Sequence, residues 1–351
     1  MGEFDLIKRF FTRPTPRAVL GVGDDCALLQ AAPGMQMAIS TDMLVSGRHF
    51  FDDVDPRALG HKALAVNLSD LAACGASPVA FTLALALPEA DAAWLAPFSQ
   101  GLLALADLHG CELIGGDTTQ GPLNICITVF GEVPQGQALL RSGAQPADEV
   151  YVSGTLGDAG LALAHLLRDR ARLVGGRADA PESVATATLL PLSADDLAQA
   201  RLRLEWPTPR VALGTALRGI ASAAADISDG LLGDLGHILE RSGVGASLDT
   251  TAALALLGRQ RYWATTQALL ASEALRQTVL QHVLGGGDDY ELVFTAPISQ
   301  RAGVQAAAVA SNTPVTRIGQ IDALPGLRLL NAQGERLDYH FQSFDHFAAK
   351  V

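Results

Sequence analysis

Residues 67–88 read NLSDLAACGASPVAFTLALALP, and the way this stretch is parsed decides what kind of protein the chain forms. Residues 71–88 carry no charge and come close to the length of a membrane-spanning helix. Gly75, Ser77 and Pro78 interrupt the run near its middle. Glycine suits the left-handed position that closes a helix, and proline removes a donor that a helix interior needs. The stretch is therefore expected to be the end of one helix followed by a buried strand. Upstream, Asp55-Pro56 offers an N-cap and a proline at the first helical position, so that helix is expected to run from there to about Cys74.

Working outward, residues 79–87 alternate as a strand does, and residues 91–109 read as a helix closed by Gly110. Residues 113–114 and 123–133 read as two more strands. Before the central stretch, residues 3–11 have the spacing of a short amphipathic helix with Phe4, Ile7, Phe10 and Phe11 inward, and 26–30, 36–41 and 43–50 look strand-like. Strands interleaved with two helices in this order predict an α+β domain. A second set of elements starts near residue 147: strand 149–153, helix 157–168, strand 223–226, helix 229–242, strand 245–248, helix 265–284, strand 290–295, helix 300–311 and short C-terminal strands. Residues 169–190 show no clear period and are expected to be a surface loop or a frayed helix. The 351 residues suit two domains, expected at 1–138 and 145–351, the second of α/β type.

Composition limits the function classes. Hydrophobic residues make up 49% of the chain, enough for two cores, while the formal charge is −12 and only Lys8, Lys62 and Lys350 are lysines. Such a surface does not attract a nucleic-acid backbone or an anionic membrane. The four cysteines, Cys26, Cys74, Cys111 and Cys126, have no C-x-x-C spacing and are expected as buried, reduced thiols. The N-terminus lacks the pattern of a signal peptide, so a cytoplasmic protein is expected.

Six short segments place aspartate at loop-like positions: GVGDDC (21–26), STD (40–42), NLSDLAACG (67–75), IGGDTT (114–119), DISDG (226–230) and GGGDDYEL (285–292). Aspartate is a poor helix and strand former, so each one is either a cap or a ligand. A whole series of them beside glycines demands counter-charge, and with so few basic residues a divalent cation is the expected source. Carboxylate oxygens without a His or Cys cluster favour Mg²⁺, Mn²⁺ or Ca²⁺ over Zn²⁺, and no EF-hand spacing is present. Mg²⁺ held this way completes its shell with water and phosphate oxygens, which points to a polyphosphate ligand. A P-loop and a G-x-G-x-x-G fingerprint are both absent.

Taken together these segments resemble the thiamine-monophosphate kinase family over nearly the whole chain. The resemblance rests on GEFDLI, GVGDDCALL, ISTDMLVSGRHF, ALAVNLSDLAACGASP, ELIGGDTTQGPL, LLRSGAQPADEVYVSG, DISDGLLGDLGHI, GGGDDYELVFT and the closing FDHFA. It implies ATP-dependent phosphorylation of thiamine monophosphate with several Mg²⁺ ions, by direct in-line transfer. It also implies a homodimer in which the N-terminal α+β sheets of two subunits pair and a C-terminal α/β domain closes each ATP site. By the same resemblance Asp25, Asp42, Asp70, Asp117, Asp226 and Asp229 are metal ligands, with Ser40 and Thr41 completing the shell. Gly116, Asp117, Arg141 and Ser228 are ATP contacts, and Asp42, Asp117 and Arg141 are expected to carry catalysis. His49 lies near the substrate phosphate.

Three positions depart from the family pattern. His109 replaces a tyrosine beside the adenine, Asp288 replaces a glutamate at a substrate contact, and Phe341 falls near a tryptophan that stacks on the thiamine rings. Two other readings stay open on the sequence: a different ATP-dependent enzyme of the wider superfamily, which includes aminoimidazole ribonucleotide synthetase, selenophosphate synthetase and a hydrogenase maturation factor, and a non-catalytic sensor of nucleotide or thiamine phosphate.

Overall fold

The computed structural model describes residues 2–173, 189–258, 272–339, 341 and 343. The chain divides into two units, Met1–Ala138 with Pro209–Arg218, and Leu139–Thr208 with Gly219–Val351. In the first unit a short helix α1 (Glu3–Leu6) continues as a π turn through Phe11 and is followed by β1 (Met35–Val45), α2 (Pro56–Ala73), β2 (Ser77–Leu87), α3 (Ala92–His109), β3 (Glu112–Gln120) and β4 (Asn124–Pro134). The four strands form one sheet in the order β1-β4-β2-β3, with β4 antiparallel to both neighbours and β2 parallel to β3.

Local chemistry sets these boundaries. The Asp55 carboxylate accepts from the Arg57 N–H, Pro56 opens α2, and Gly75 follows it at φ 64°. α2 is buried around almost its whole circumference from Ala58 to Ala73, because it packs against the sheet on one side and α3 on another. Two glycines set the helix–helix distance: a Cβ on Gly60 would lie 2.0 Å from the Phe98 carbonyl oxygen, and one on Gly101 1.9 Å from that of Arg57. On the opposite face Ala18, Ala27 and Leu29 pack beside Phe130, Val79, Ala80 and Ile114, while Ile39 and Met43 stay 61% and 52% exposed in the single chain.

Several expectations change here. Residues 36–41 and 43–50 are not two strands: β1 is continuous to Val45, and 46–50 form a turn in which the His49 N–H donates to the Val45 carbonyl. Among the described residues the 26–30 segment joins no sheet: Leu28 makes an isolated bridge to Leu20, and Ala27 and Leu29 pack by Val79, Ala80 and Ile114. Phe4 points outward at 81% exposure, and Leu6 takes the inward place at 2%. Of the four cysteines Cys111 is buried, Cys26 is exposed and the other two are intermediate.

The second unit runs β5 (Glu149–Ser153), α4 (Asp158–Leu173), α5 (Ala194–Glu205), then α6 (Val211–Ala216), β6 (Ala223–Ile227), α7 (Leu231–Ser242), β7 (Gly245–Asp249), α8 (Thr250–Leu254), α9 (Glu273–Gly285), β8 (Glu291–Ala296), α10 (Arg301–Ala310), β9 (Val315–Asp322), β10 (Gly326–Leu330) and β11 (Arg336–Leu337). Within this run α6 returns to the first unit, although residues 145–351 were expected to stay together. Gly214 lets α6 approach α2, since a Cβ there would lie 2.0 Å from the Ala72 carbonyl oxygen, and Arg218 Nε donates to the Gly75 carbonyl at 2.5 Å. Most of 169–190 lies outside the described residues, as does the start of the helix expected at 265–284.

Seven strands form the second sheet in the order β11-β10-β7-β9-β5-β8-β6. Only β7 and β10 pair in parallel, so this sheet is mixed and mainly antiparallel rather than the wound α/β sheet that alternating elements suggest. Leu235 and Ile238 of α7 and Leu280, Val283 and Leu284 of α9 pack with Val150, Val152, Ile227 and Val293 of the sheet in one core. Tyr151 and Phe294 stack at 5.3 Å between ring centroids, tying β5 to β8.

Candidate active site

In the first unit Ser40, Asp42 and Asp117 sit on strands, Asp70 on α2 and His109 at the end of α3, while Asp25 and His49 lie in a loop and a turn. Ser40 Oγ donates to Asp70 Oδ2 at 2.5 Å, so β1 and α2 bring these two together. Asn67, one turn earlier on α2 and 1% exposed, uses both ends of its amide. Its Oδ1 accepts from the Asp42 N–H at 3.0 Å and its Nδ2 donates to the Ala63 carbonyl at 3.0 Å. Ser40 and Asp42 have the same strand parity and share a face, whereas Thr41 lies on the other face, where its hydroxyl meets that of Thr128 at 2.9 Å. Asp25 sits in the exposed 21–26 loop, its N–H bonded to Asp24 Oδ1. His49 Nδ1 accepts from the Val45 N–H at 3.0 Å, which puts the ring proton on Nε2.

The sheet holds Asp42 and Asp117 apart. Register runs Asp42–Ile127–Leu83–Gly116 in one row and Met43–Cys126–Ala84–Asp117 in the next. The two aspartates thus lie on opposite edge strands and opposite faces, about 14 Å apart at three strand spacings. No Mg²⁺ shell, with ligands at about 2.1 Å, spans that distance. Gly116 is required where it stands: its φ is 147° and a Cβ would lie 1.9 Å from the Leu83 carbonyl oxygen. His109 closes α3, and burial, with His61 adding to it, lowers its pKa, so its ring is neutral at pH 7.

In the second unit DISDG and GGGDDYEL lie side by side. The Tyr290 N–H donates to the Ile227 carbonyl at 2.9 Å and the Asp288 N–H to the Ser228 carbonyl at 2.8 Å, extending the β6–β8 pairing into the loops. The register pairs buried Asp226 with Leu292. Asp288 and Tyr290 both adopt left-handed backbone, φ 67° and 51°, and the Tyr290 hydroxyl reaches Asp288 Oδ1 at 3.3 Å. Aspartate tolerates this conformation better than longer side chains do. Between them Asp289 is fully buried, and its Oδ2 accepts the Gly157 N–H at 2.8 Å. Burial pushes its carboxyl well above the usual range.

Asp234, on the first turn of α7, escaped the sequence reading. It is 3% exposed, and its Oδ2 accepts from the Ser228 N–H at 3.1 Å and the Asp229 N–H at 3.2 Å. Burial, with the Asp229 charge adding, raises its carboxyl to about 7, opposed by these two backbone bonds and by Arg141. Arg141 itself is exposed, on a loop that the Ser242 hydroxyl secures by accepting from the Gly143 and Ala144 N–H groups at 3.2 Å. Phe341 packs on the rim of the core and meets Tyr339 edge-on at 5.6 Å. Asn67 was missed as well, yet an asparagine inside an apolar helical run was a usable signal.

Among the described residues no three His, Cys, Asp or Glu side chains gather as a metal site. The donors present, carboxylates and hydroxyls, have the chemistry of a hard divalent cation and not of zinc.

Comparison with known proteins shows the family. Residues 23–133 match the family model described as AIR synthase related protein, N-terminal domain. The chain is 44% identical to the thiamine-monophosphate kinase of Escherichia coli O157:H7 over 351 residues, covering 99% of this chain and 98% of that one. It is 32% identical to the thiamine-monophosphate kinase of Bacillus subtilis over 336 residues, covering 92% and 91%. Among solved structures, the crystal structure of thiamine-monophosphate kinase from Stenotrophomonas maltophilia superposes with a TM-score of 0.74 at 44% identity, covering 95% of this chain and 96% of that one. The structure of AaThiL complexed with AMPPCP and TMP superposes with a TM-score of 0.70 at 26% identity, covering 98% and 96%. A hydrogenase maturation protein, HypE, shares the fold at 20% identity with a TM-score of 0.69, covering 99% of each chain.

Proposed function

The chain belongs to the thiamine-monophosphate kinase family, and from that membership we propose that it transfers the γ-phosphoryl group of ATP to thiamine monophosphate, giving thiamine diphosphate and ADP. The observation that carries the reading is 44% identity maintained over 99% of the chain, while a relative with the same fold is described with both AMPPCP and TMP bound.

The reaction brings two anions together, and each pair of unit charges at 5 Å costs about 0.8 kcal/mol in water and more where water is excluded. Mg²⁺ ions would be held by Asp25, Ser40, Asp42, Asp70, Asp117, Asp226 and Asp229, with the Thr41 hydroxyl turned to the opposite face, and when bound they would neutralise phosphate charge. Arg141 clamps a phosphate oxygen, Ser228 and the Gly116–Asp117 segment of β3 contact the nucleotide, and His49 presents Nε2–H to the acceptor phosphate. The acceptor is a phosphomonoester with a second pKa of about 6, already ionised at pH 7, so transfer needs no general base. It proceeds in line by positioning and electrostatics.

The separation of Asp42 from Asp117 bears on the oligomer. Two copies packed through the open sheet face around Ile39 and Met43 cover that apolar surface. Such pairing sets the β1 edge of one copy against the β3 edge of the other and leaves no exposed edge. Asp42 of one copy and Asp117 of the other then border the same seam, and each site draws on both chains.

The test is product formation from thiamine monophosphate, ATP and Mg²⁺, followed by ADP release and identification of thiamine diphosphate, with EDTA as control. Thiamine diphosphate formed only without EDTA is the expected result. A folded protein that binds ATP–Mg²⁺ and makes no product overturns the reading.

A further inference from the structure

The mechanism above uses Ser228 and Asp229, which lie outside regular structure, between the end of β6 and the start of α7. A loop residue presents its side chain reproducibly only if its backbone is held. The N-cap of α7 is Gly230, which has no side chain to bond the free N–H groups there and which stands at φ 116°. Asp234 supplies what the cap lacks. Its own N–H donates to the Gly230 carbonyl at 3.0 Å as part of the first helical turn, and its Oδ2 reaches back past the helix start to the Ser228 and Asp229 N–H groups. This extends the reciprocal logic of a capping box by one residue at each end. The loop is gripped from its other side by the Asp288 N–H on the Ser228 carbonyl. Gly287 allows that approach, since a Cβ there would lie 2.4 Å from the same oxygen.

We propose that Asp234 is a positioning residue of the nucleotide site: its buried carboxylate fixes the backbone at 228–229 and so aims the Ser228 hydroxyl and the Asp229 carboxylate at ATP–Mg²⁺. The proposal rests on the nucleotide roles given to Ser228 and Asp229 and not on the identity of the acceptor. At 3% exposure Asp234 itself contacts no ligand, and both of its bonds come through one oxygen.

Two substitutions separate position from charge. Asp234→Asn keeps an acceptor oxygen in the same place and removes the charge. Asp234→Glu keeps the charge and displaces the oxygen by one methylene. Calorimetric titration with Mg²⁺ and AMPPCP reads the nucleotide site whatever the acceptor turns out to be. The expected result is that Asp234→Asn binds within about 3-fold of wild type, while Asp234→Glu binds about 10- to 30-fold more weakly, the loss of two hydrogen bonds. The Asp234→Glu penalty is expected to shrink in an Asp229→Asn, Ser228→Ala background, because the side chains being aimed are gone. Equal affinities for wild type and Asp234→Glu, or an Asp234→Asn variant that unfolds at the wild-type temperature and binds as weakly as Asp234→Glu, overturn the proposal. Full effects of Asp234 with no turnover of thiamine monophosphate would reject the acceptor and leave the positioning role standing.

Discussion

The two units hold their acidic residues in opposite ways. In the first, Ser40, Asp42 and Asp117 sit on sheet strands, where hydrogen-bond register dictates spacing and face. In the second, Ser228, Asp229 and Asp288 sit in loops, where buried side chains and close backbone contacts hold them. A sheet is a rigid ruler and cannot be adjusted, so carboxylates that register puts about 14 Å apart stay apart. In the proposed dimer a second copy brings them to one seam. A loop can place its residues within one chain, but only if something such as Asp234 immobilises it. On the proposed dimer the first arrangement ties activity to assembly, and the second ties it to a few buried bonds.

The largest expected effect breaks the sheet half of this comparison. Ile39→Lys puts a charge on the open face that is to be covered, where the native side chain is 61% exposed in the single chain. The variant is expected to run as a folded monomer by light scattering and to lose kcat by at least about 100-fold, as a site without one of its electrostatic groups does. A monomer with wild-type turnover would remove the need for pairing.

A much smaller effect sharpens the loop half. Asp288 stands at φ 67°, so Asp288→Gly is expected to leave thermal stability unchanged. Asp288→Glu, the residue the family resemblance leads one to expect there, is expected to cost about 1 kcal/mol. For units of this size that is a fall of about 2–4 °C in Tm by differential scanning calorimetry. An unchanged or higher Tm for Asp288→Glu would show that the left-handed turn imposes no preference on this position.

What could be read from the sequence divides along the same line. Signals carried by a few neighbouring residues were sufficient: Asp55-Pro56 and Gly75 bracket α2, Gly110 closes α3 at φ 58°, and DISDG does stand at a strand-to-helix turn. Helix α5 was passed over although it carries its own signal, a Ser193 cap whose hydroxyl accepts from the Asp196 N–H, with acids in the first turn. Strand sense was not legible: β2 pairs parallel with β3 on one side and antiparallel with β4 on the other, so its side-chain pattern records burial and not partner direction. Nor was the separation of Asp42 and Asp117, which depends on the spatial order β1-β4-β2-β3. Asp234 and Asn67 were missed for a related reason: their work is done on the backbone of other residues, and a motif records only which side chains are present.

The claim on which the account turns is that each active site draws Asp42 from one chain and Asp117 from the other. Asp42→Asn and Asp117→Asn homodimers are each expected to lose about 10²- to 10³-fold in kcat. The two variants, co-expressed with different tags and purified as the heterodimer, give one doubly damaged site and one intact site. The account predicts recovery to about half the wild-type rate per dimer. A heterodimer as inactive as either variant alone would place both aspartates in the same chain's site and contradict it.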